Sequence, residues 1–369
     1  MRLKIIFFGF LVSIFHQSTA EAFPEMIRHG YTNCISCHVS PNGGGVLTTY
    51  GRQLSREVLS FAGKEGEEQF AYGLVTLPPW MLAGGEFRGL QFYENNASVR
   101  QAKAIMMQDD LALGATYGQF FLVGTIGQQW SPGGPPAMNQ IFSREHYVNY
   151  RPTDNLSLRL GKFRLEYGIN TPEHAISIKR DIGFDENTET YNLEASWLGE
   201  TYNLFLTADF GRPDFLELQK ERGVAGTASY FISETYKVGM SYFTGTNASQ
   251  TRQLAGPFAV LGFTKHFFLL SELDFQYVNS AIDATFQRGL VDYQKLDYEV
   301  IQGIHGFLSL EYSQLDLQNS QTLMRSFGIG TQLFPRPHFE LTLAYLKQQM
   351  IAVGQDYNDF AYAMLHFYL

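Results

Sequence analysis

The chain has 369 residues, 27 basic against 36 acidic side chains, a formal charge of −9, 15% aromatic residues and only 17% charged ones. The acidic balance excludes nucleic acid as an expected partner. The length would admit two or more soluble domains, but many aromatics, frequent glycine and little charge argue against them.

At the start, Met1-Arg2-Leu3-Lys4 is short and basic, and Ile5 opens an apolar run that ends at Phe15. Such a run is too short to span a bilayer as a helix, which needs about 20 residues. The small residues Ser18-Thr19-Ala20 follow it, so residues 1–20 read as a cleaved secretory signal. The mature chain is expected to begin near Glu21 or Phe23, and loss of Arg2 and Lys4 moves the balance to 25 basic against 36 acidic, or −11.

The chemistry comes next, in Asn33-Cys34-Ile35-Ser36-Cys37-His38, which holds both cysteines of the protein. Thiols at this spacing add across the two vinyl groups of one porphyrin, and the following histidine then ligates the iron. One covalent haem c on Cys34 and Cys37, with His38 as proximal iron ligand, is therefore the expected cofactor. A Cys34–Cys37 disulfide, a thiol redox pair and a chance match are the alternatives; a zinc site lacks further ligands. His29 is the first candidate for the second axial position, with Met26 and Met81 as thioether alternatives. Residues 21–76 are too few for a well-cored domain. They offer a flexible turn at Asn42-Gly43-Gly44-Gly45 and one short helix over 48–61, with Leu54, Val58 and Leu59 toward the ring. This segment is expected to enter or cap a barrel lumen from the periplasmic end.

From residue 77 to 369 the pattern is alternation over about ten residues between turn signals, repeated sixteen times. Phe339, Leu341, Leu343 and Tyr345 oppose Glu340, Thr342 and Ala344. Tyr202, Leu204, Leu206, Ala208 and Phe210 oppose Asn203, Thr207 and Asp209, and Phe267, Leu269, Leu273, Phe275 and Tyr277 oppose Glu272, Asp274 and Gln276. Connections also alternate. Tight turns are expected near 117–119, 151–155, 198–200, 233–234, 265–266, 303–304 and 335–337, and longer ones over 131–140, 171–187, 211–223, 245–253 and 352–358. Short turns on one side and long loops on the other are the habit of outer-membrane barrels. Ala361, Ala363, Leu365, Phe367 and Leu369 form a closing apolar row. The expected fold is all-β: a sixteen-stranded antiparallel outer-membrane β-barrel with little helix, a soluble β-sandwich or barrel being the alternative.

Four further histidines, His266, His305, His338 and His366, fall at or near the periplasmic rim, three of them (His266, His305 and His366) on lumen parity, as second axial candidates or as plain turn residues. Lumen-facing positions lean acidic, with Glu194, Asp209, Glu272, Asp274, Asp297, Glu299, Glu311 and Glu340 against Lys237 and Lys295. That field would favour entry of cations.

Phe23-Pro24-Glu25-Met26-Ile27-Arg28, the Cys34 to His38 motif and Leu47-Thr48-Thr49-Tyr50-Gly51-Arg52, followed by a porin-like region, resemble the fused monohaem cytochrome–porin proteins of iron-oxidising bacteria. The similarity in sequence covers about thirty residues, and the Pro41 to Gly45 insert and the His29-Gly30-Tyr31 lead-in depart from the family pattern. The resemblance implies a sixteen-stranded barrel carrying one haem and transferring electrons across the outer membrane. Its donor would be extracellular Fe(II), as in a ferrous iron oxidase, and its acceptor a periplasmic carrier such as a soluble cytochrome. The alternative is a passive diffusion porin whose haem segment is a structural plug or redox sensor.

Overall fold

The computed structural model describes residues 24–128, 141–174, 176–185 and 187–369. The expected signal segment, Phe23 and the connection at 131–140 lie outside the described residues. The wall is built from β1 (Met81–Asn95), β2 (Arg100–Tyr117), β3 (Phe120–Gln128), β4, β5 (Leu156–Phe163), β6 (Thr190–Leu198), β7 (Tyr202–Asp209) and β8 (Arg222–Ser233). It continues through β9 (Tyr236–Thr246), β10 (Gln250–Gly262), β11 (Phe267–Ser280), β12 (Phe286–Ile301), β13 (Ile304–Gln314), β14 (Leu323–Arg336), β15 (Phe339–Met350) and β16 (Asn358–Tyr368). Strand β4 consists of two segments, Ile141–Phe142 and His146–Tyr150, that pair in succession with β3. Each strand pairs antiparallel with the next, and β1 pairs with β16, with Glu86 opposite Tyr368 and Asn95 opposite Asp359. The result is a closed barrel of sixteen strands, which leaves no sheet edge unpaired.

Period-two patterning becomes a two-sided wall. In β7, Asn203, Phe205, Thr207 and Asp209 are buried, while Tyr202, Leu204 and Leu206 face outward and are exposed. The outer surface carries Ile126, Leu310, Ile329 and Met240, each more than half exposed. Aromatic rings cluster at both rims. At the tight-turn end, Phe120 stacks on Tyr150 at 4.7 Å and Phe263 meets Phe267 at 5.4 Å; at the other, Tyr277 stacks on Phe286 at 5.5 Å and Phe327 meets Tyr357 at 5.7 Å. An apolar band between two aromatic girdles is what a bilayer requires of a barrel. Among the described residues no helix is long and apolar enough to cross a membrane.

The tight turns fall where the sequence placed them, except that the last is displaced to 337–338, beyond the end of β14. The connection expected over 245–253 is instead only residues 247–249, because β9 and β10 run further than their patterning suggests. Asn247 makes the short link possible, its side-chain oxygen accepting from the backbone N–H groups of Ser249 and Gln250.

The connection between β5 and β6, residues 164–189, folds into the barrel rather than out of it. Leu165, Tyr167, Ile169, Ile176, Ile178, Ile182 and Phe184 are buried against inner residues of β8 to β12, such as Phe243, Val260, Phe268 and Tyr293. The carboxylates expected to line a wet lumen hold this loop. Asp274 accepts from the Tyr167 hydroxyl at 2.9 Å, Glu272 from the Ile169 N–H at 2.5 Å and Glu311 from the Ser177 N–H at 2.7 Å. Gly168, at φ +63°, lies so close to Glu272 that a Cβ would stand 1.8 Å from its Oε1. Other inner carboxylates are paired with cations: Glu194 with Arg159 at 2.9 Å and Glu299 with Arg28 at 2.7 Å. Two of the eight inner carboxylates are thus paired with arginine and three are taken up by hydrogen bonds from the loop, so these five do not line an open, wet channel.

Candidate functional site

Residues 24–61 fill the tight-turn end of the lumen, which the rule of short periplasmic turns makes the periplasmic end. The segment begins with a short 3-10 helix, Pro24–His29, whose Met26 is wholly buried with Leu59 and Phe334. Arg28 is 2% exposed and donates to Glu299 and to the Lys265 carbonyl, at 2.7 and 2.8 Å. Further along, Asn203 donates to Thr32 O, Arg151 to Val39 O, and Arg159 to the Ser40 hydroxyl. At its far end, Phe61 N–H donates to Phe334 O and Gln302 to the carbonyls of Glu57 and Ser60. Wall strands all round the barrel therefore grip one short plug.

Within the plug, Cys37 N–H and His38 N–H both donate to Cys34 O, at 3.2 and 2.9 Å. This single helical turn gathers the three motif residues. A small hairpin follows, closed by Val39 N–H to Val46 O at 3.0 Å and Thr48 N–H to Cys37 O at 2.8 Å, and turned by Gly43, Gly44 and Gly45 at positive φ. Thr48 then caps the helix α1 (Thr49–Leu54) by accepting from Gly51 N–H, and the helix widens into a last turn over Ser55–Leu59. The expected helix is present, but of the three residues expected toward the ring only Leu59 borders the space beside His38; Leu54 is buried away from it and Val58 packs on the Met26 cluster. Gly51 packs on the motif so tightly that a Cβ would stand 2.4 Å from Cys37 O.

His38 lies against a void between plug and wall, lined from the plug by Gly44, Gly51 and Leu59 and from the wall by Glu86, Arg88 and Thr125. Its Nδ1 lies 3.0 Å from Gly44 O and must donate to that carbonyl, so Nε2 carries the lone pair. Burial pulls its pKa down to about 4, which keeps the imidazole neutral and fit to ligate a metal. Arg88, Arg144 and Arg164 line the same void with Glu86, Asp110 and Glu145. Cys34 borders a second, smaller void that shares Asn42 and Asn170 with the first, and Cys37 is fully buried between hairpin and helix. Burial pushes the Cys34 thiol up to about 12, the reverse of the lowered pKa that a reactive redox thiol needs. Two thiols on one turn, a neutral histidine oriented by a backbone carbonyl and adjoining space make a donor set that fits haem c.

The other candidates separate clearly. His29, first choice from sequence for the second axial position, sits beside Arg28, Glu299 and Lys265, and its pKa falls to about 4 chiefly through burial. It lines neither void, so the fold does not bring it to His38. Met26 is packed into its own apolar cluster, and Met81 opens β1. His266 is a turn residue with a side chain 56% exposed, and His305 hydrogen-bonds Asp297 at 2.8 Å without reaching the void. His338 lies in the β14–β15 turn. His366 alone among these lines the void with His38. The sequence offered His366 as one of four, but not its partners: β16 sets it directly opposite Arg88 on β1 and Glu340 on β15, a register that no single strand reveals.

No protein-family model matches the chain, and no curated protein is similar to it in sequence. Solved structures are similar in fold. The outer membrane channel DcaP of Acinetobacter baumannii superposes with a TM-score of 0.57 over 85% of this chain and 100% of its own, at 11% identity. The fold is that of an outer-membrane porin. OmpT of Vibrio cholerae gives 0.61 at 8% identity over 80% and 100% of the two chains, and an anion-selective porin from Comamonas acidovorans gives 0.63 at 11% over 78% and 99%. Barrel closure, girdles and this porin fold place the chain in the bacterial outer membrane with its outer wall against lipid.

Proposed function

We propose that this porin-like barrel is a porin-cytochrome that holds one haem c on Cys34 and Cys37, with His38 as iron ligand, and moves electrons across the outer membrane. The observation that carries the reading is His38 itself: a buried, neutral imidazole in a CxxCH turn, with Nδ1 committed to Gly44 O and a void beside the ring. When bound, haem c supplies the one-electron chemistry.

The chain's own residues then hold, insulate and orient. The plug fixes the motif inside the lumen, and the strand wall separates it from lipid. An apolar band about 25 Å tall is too thick for rapid tunnelling from one face to the other. A donor must therefore enter from the loop side, and its electron leave through the plug end to a periplasmic carrier such as a soluble cytochrome. Extracellular Fe(II), the donor that the resemblance names, would give up one electron there and depart as Fe(III), which would make the protein a ferrous iron oxidase. Passive diffusion with a structural or redox-sensing plug is the second reading, favoured by the porin fold alone.

The test uses outer-membrane protein from cells with cytochrome c maturation. We expect a covalent haem-staining band that is lost in Cys34→Ala/Cys37→Ala, and reduced c-type absorption bands when ferrous iron is added to the oxidised protein. A protein without covalent haem would defeat the reading. Haem that iron leaves oxidised would remove Fe(II) as donor, and haem that no donor confined to the loop side can reduce would leave only the diffusion porin.

A further inference from the structure

We infer that His366, on the barrel wall, is the second axial ligand of the haem iron, so that plug and wall each supply one histidine. The inference rests on the haem reading above and names the residue that the sequence left open.

Four observations carry it. His366 is 4% exposed and lines the void that His38 lines from the plug side. Its Nδ1 lies 3.0 Å from Glu340 Oε2, and since a carboxylate only accepts, Nδ1 bears the proton and Nε2 the lone pair. That Nε2 is buried and has no hydrogen-bond partner among the described residues, which is costly for a polar atom unless something else occupies its lone pair. Finally, the arrangement is the one metal-bound histidines adopt, the far ring nitrogen donating to a carboxylate that fixes the tautomer and raises the basicity of the ligating atom.

The supports are themselves held. Glu340 accepts from Gln332 at 2.8 Å and from the Thr342 hydroxyl at 2.9 Å, so its carboxylate is oriented before any ligand arrives. The His366 ring lies 5.2 Å from that of Tyr368, whose hydroxyl is 3.1 Å from the Ser55 hydroxyl of the plug. His305 provides the contrast. It too pairs with a carboxylate and buries an unpartnered Nε2, but it does not border the void and has the carboxylate of Glu299 3.6 Å from that nitrogen. Ligation by two nitrogens, one backed by a carboxylate, would favour the ferric state over a histidine–methionine pair. It would also make haem attachment lock the plug to the wall.

The experiment is electron paramagnetic resonance and potentiometry on the full-length, haem-loaded protein, with haem staining run on every sample. We expect the wild type to be low-spin with two nitrogen ligands. We expect His366→Ala to become high-spin and to recover a low-spin signal with added imidazole, His366→Met to stay low-spin with a raised potential, and Glu340→Gln to raise the potential by less. His305→Ala should match wild type. A wild type that is high-spin or carries a sulfur ligand would overturn the assignment even if no variant folds. So would a His366→Ala protein still low-spin at unchanged potential. Covalent haem on the gel with either result sinks the ligand alone; a gel without covalent haem sinks the haem reading and the ligand together.

Discussion

Gly51 shows how one residue outside the motif shapes it. The helix α1 passes so near the Cys34–His38 turn that a Cβ at 51 would stand 2.4 Å from Cys37 O and 3.0 Å from its Cα, all backbone atoms that cannot swing aside. Gly51→Ala must therefore push the helix from the motif, at a cost of about 1–3 kcal/mol for overpacking. We expect normal amounts of folded barrel but several-fold less covalent haem, measured as haem stain per unit of protein. Wild-type loading would mean that the helix can shift without disturbing the thiols. At this scale spacing alone singled out Cys34, Cys37 and His38, and the structure sets all three on one turn, whereas Gly51 entered only through the family resemblance. Nearness in sequence put His29 first, whereas the structure sets it beside Arg28 and outside both voids, and no single strand could show that His366 stands opposite Arg88 and Glu340.

The strands were legible because lipid and lumen impose period two on every one of them, so β7, β11 and β15 announce both faces. Loops carry no such rule. Residues 171–187 read as a polar outer connection, although Ile176, Ile178, Ile182 and Phe184 were an available sign that the loop seeks a core. The β14–β15 turn has a testable device. His338 is fully buried at φ +64°, its Nε2 3.4 Å from Glu68 O and its N–H bonded to the Ser55 hydroxyl, and burial pulls its pKa from 6.5 to about 4. The unfolded chain thus binds the proton more readily than the folded one. The stability contributed is complete above pH 6.5 and is lost as pH falls from 6.5 to 4, by on the order of 3 kcal/mol. Asn tolerates the left-handed backbone, so His338→Asn should flatten the acid-side slope of thermal stability in detergent. An unchanged slope would assign that titration to other groups.

Closure of the barrel could be expected from an even strand count, whereas the way its interior is filled could not, since plug and inward loop meet the wall through pairs far apart in sequence. Arg28 is the decisive case. It lies in the first described turn, yet its guanidinium meets Glu299, 271 residues away, and stands 5.5 Å over the ring of Phe268. Arg28→Ala leaves Glu299 buried without its cation, and breaking such a pair costs about 3–5 kcal/mol. The wall does not need this contact, because its ladder of sixteen paired strands is complete without it. The loss therefore falls on plug docking rather than on the barrel. We expect Arg28→Ala to keep the heat-modifiable gel shift of a folded barrel, to expose residues 24–61 to protease and to raise conductance across a planar bilayer. Arg28→Ala/Glu299→Gln should recover part of the protection, as the stranded charge is removed. If the single variant conducts as the wild type does while its plug is cleaved, then the inward loop of residues 164–189, and not the plug, limits passage through the lumen.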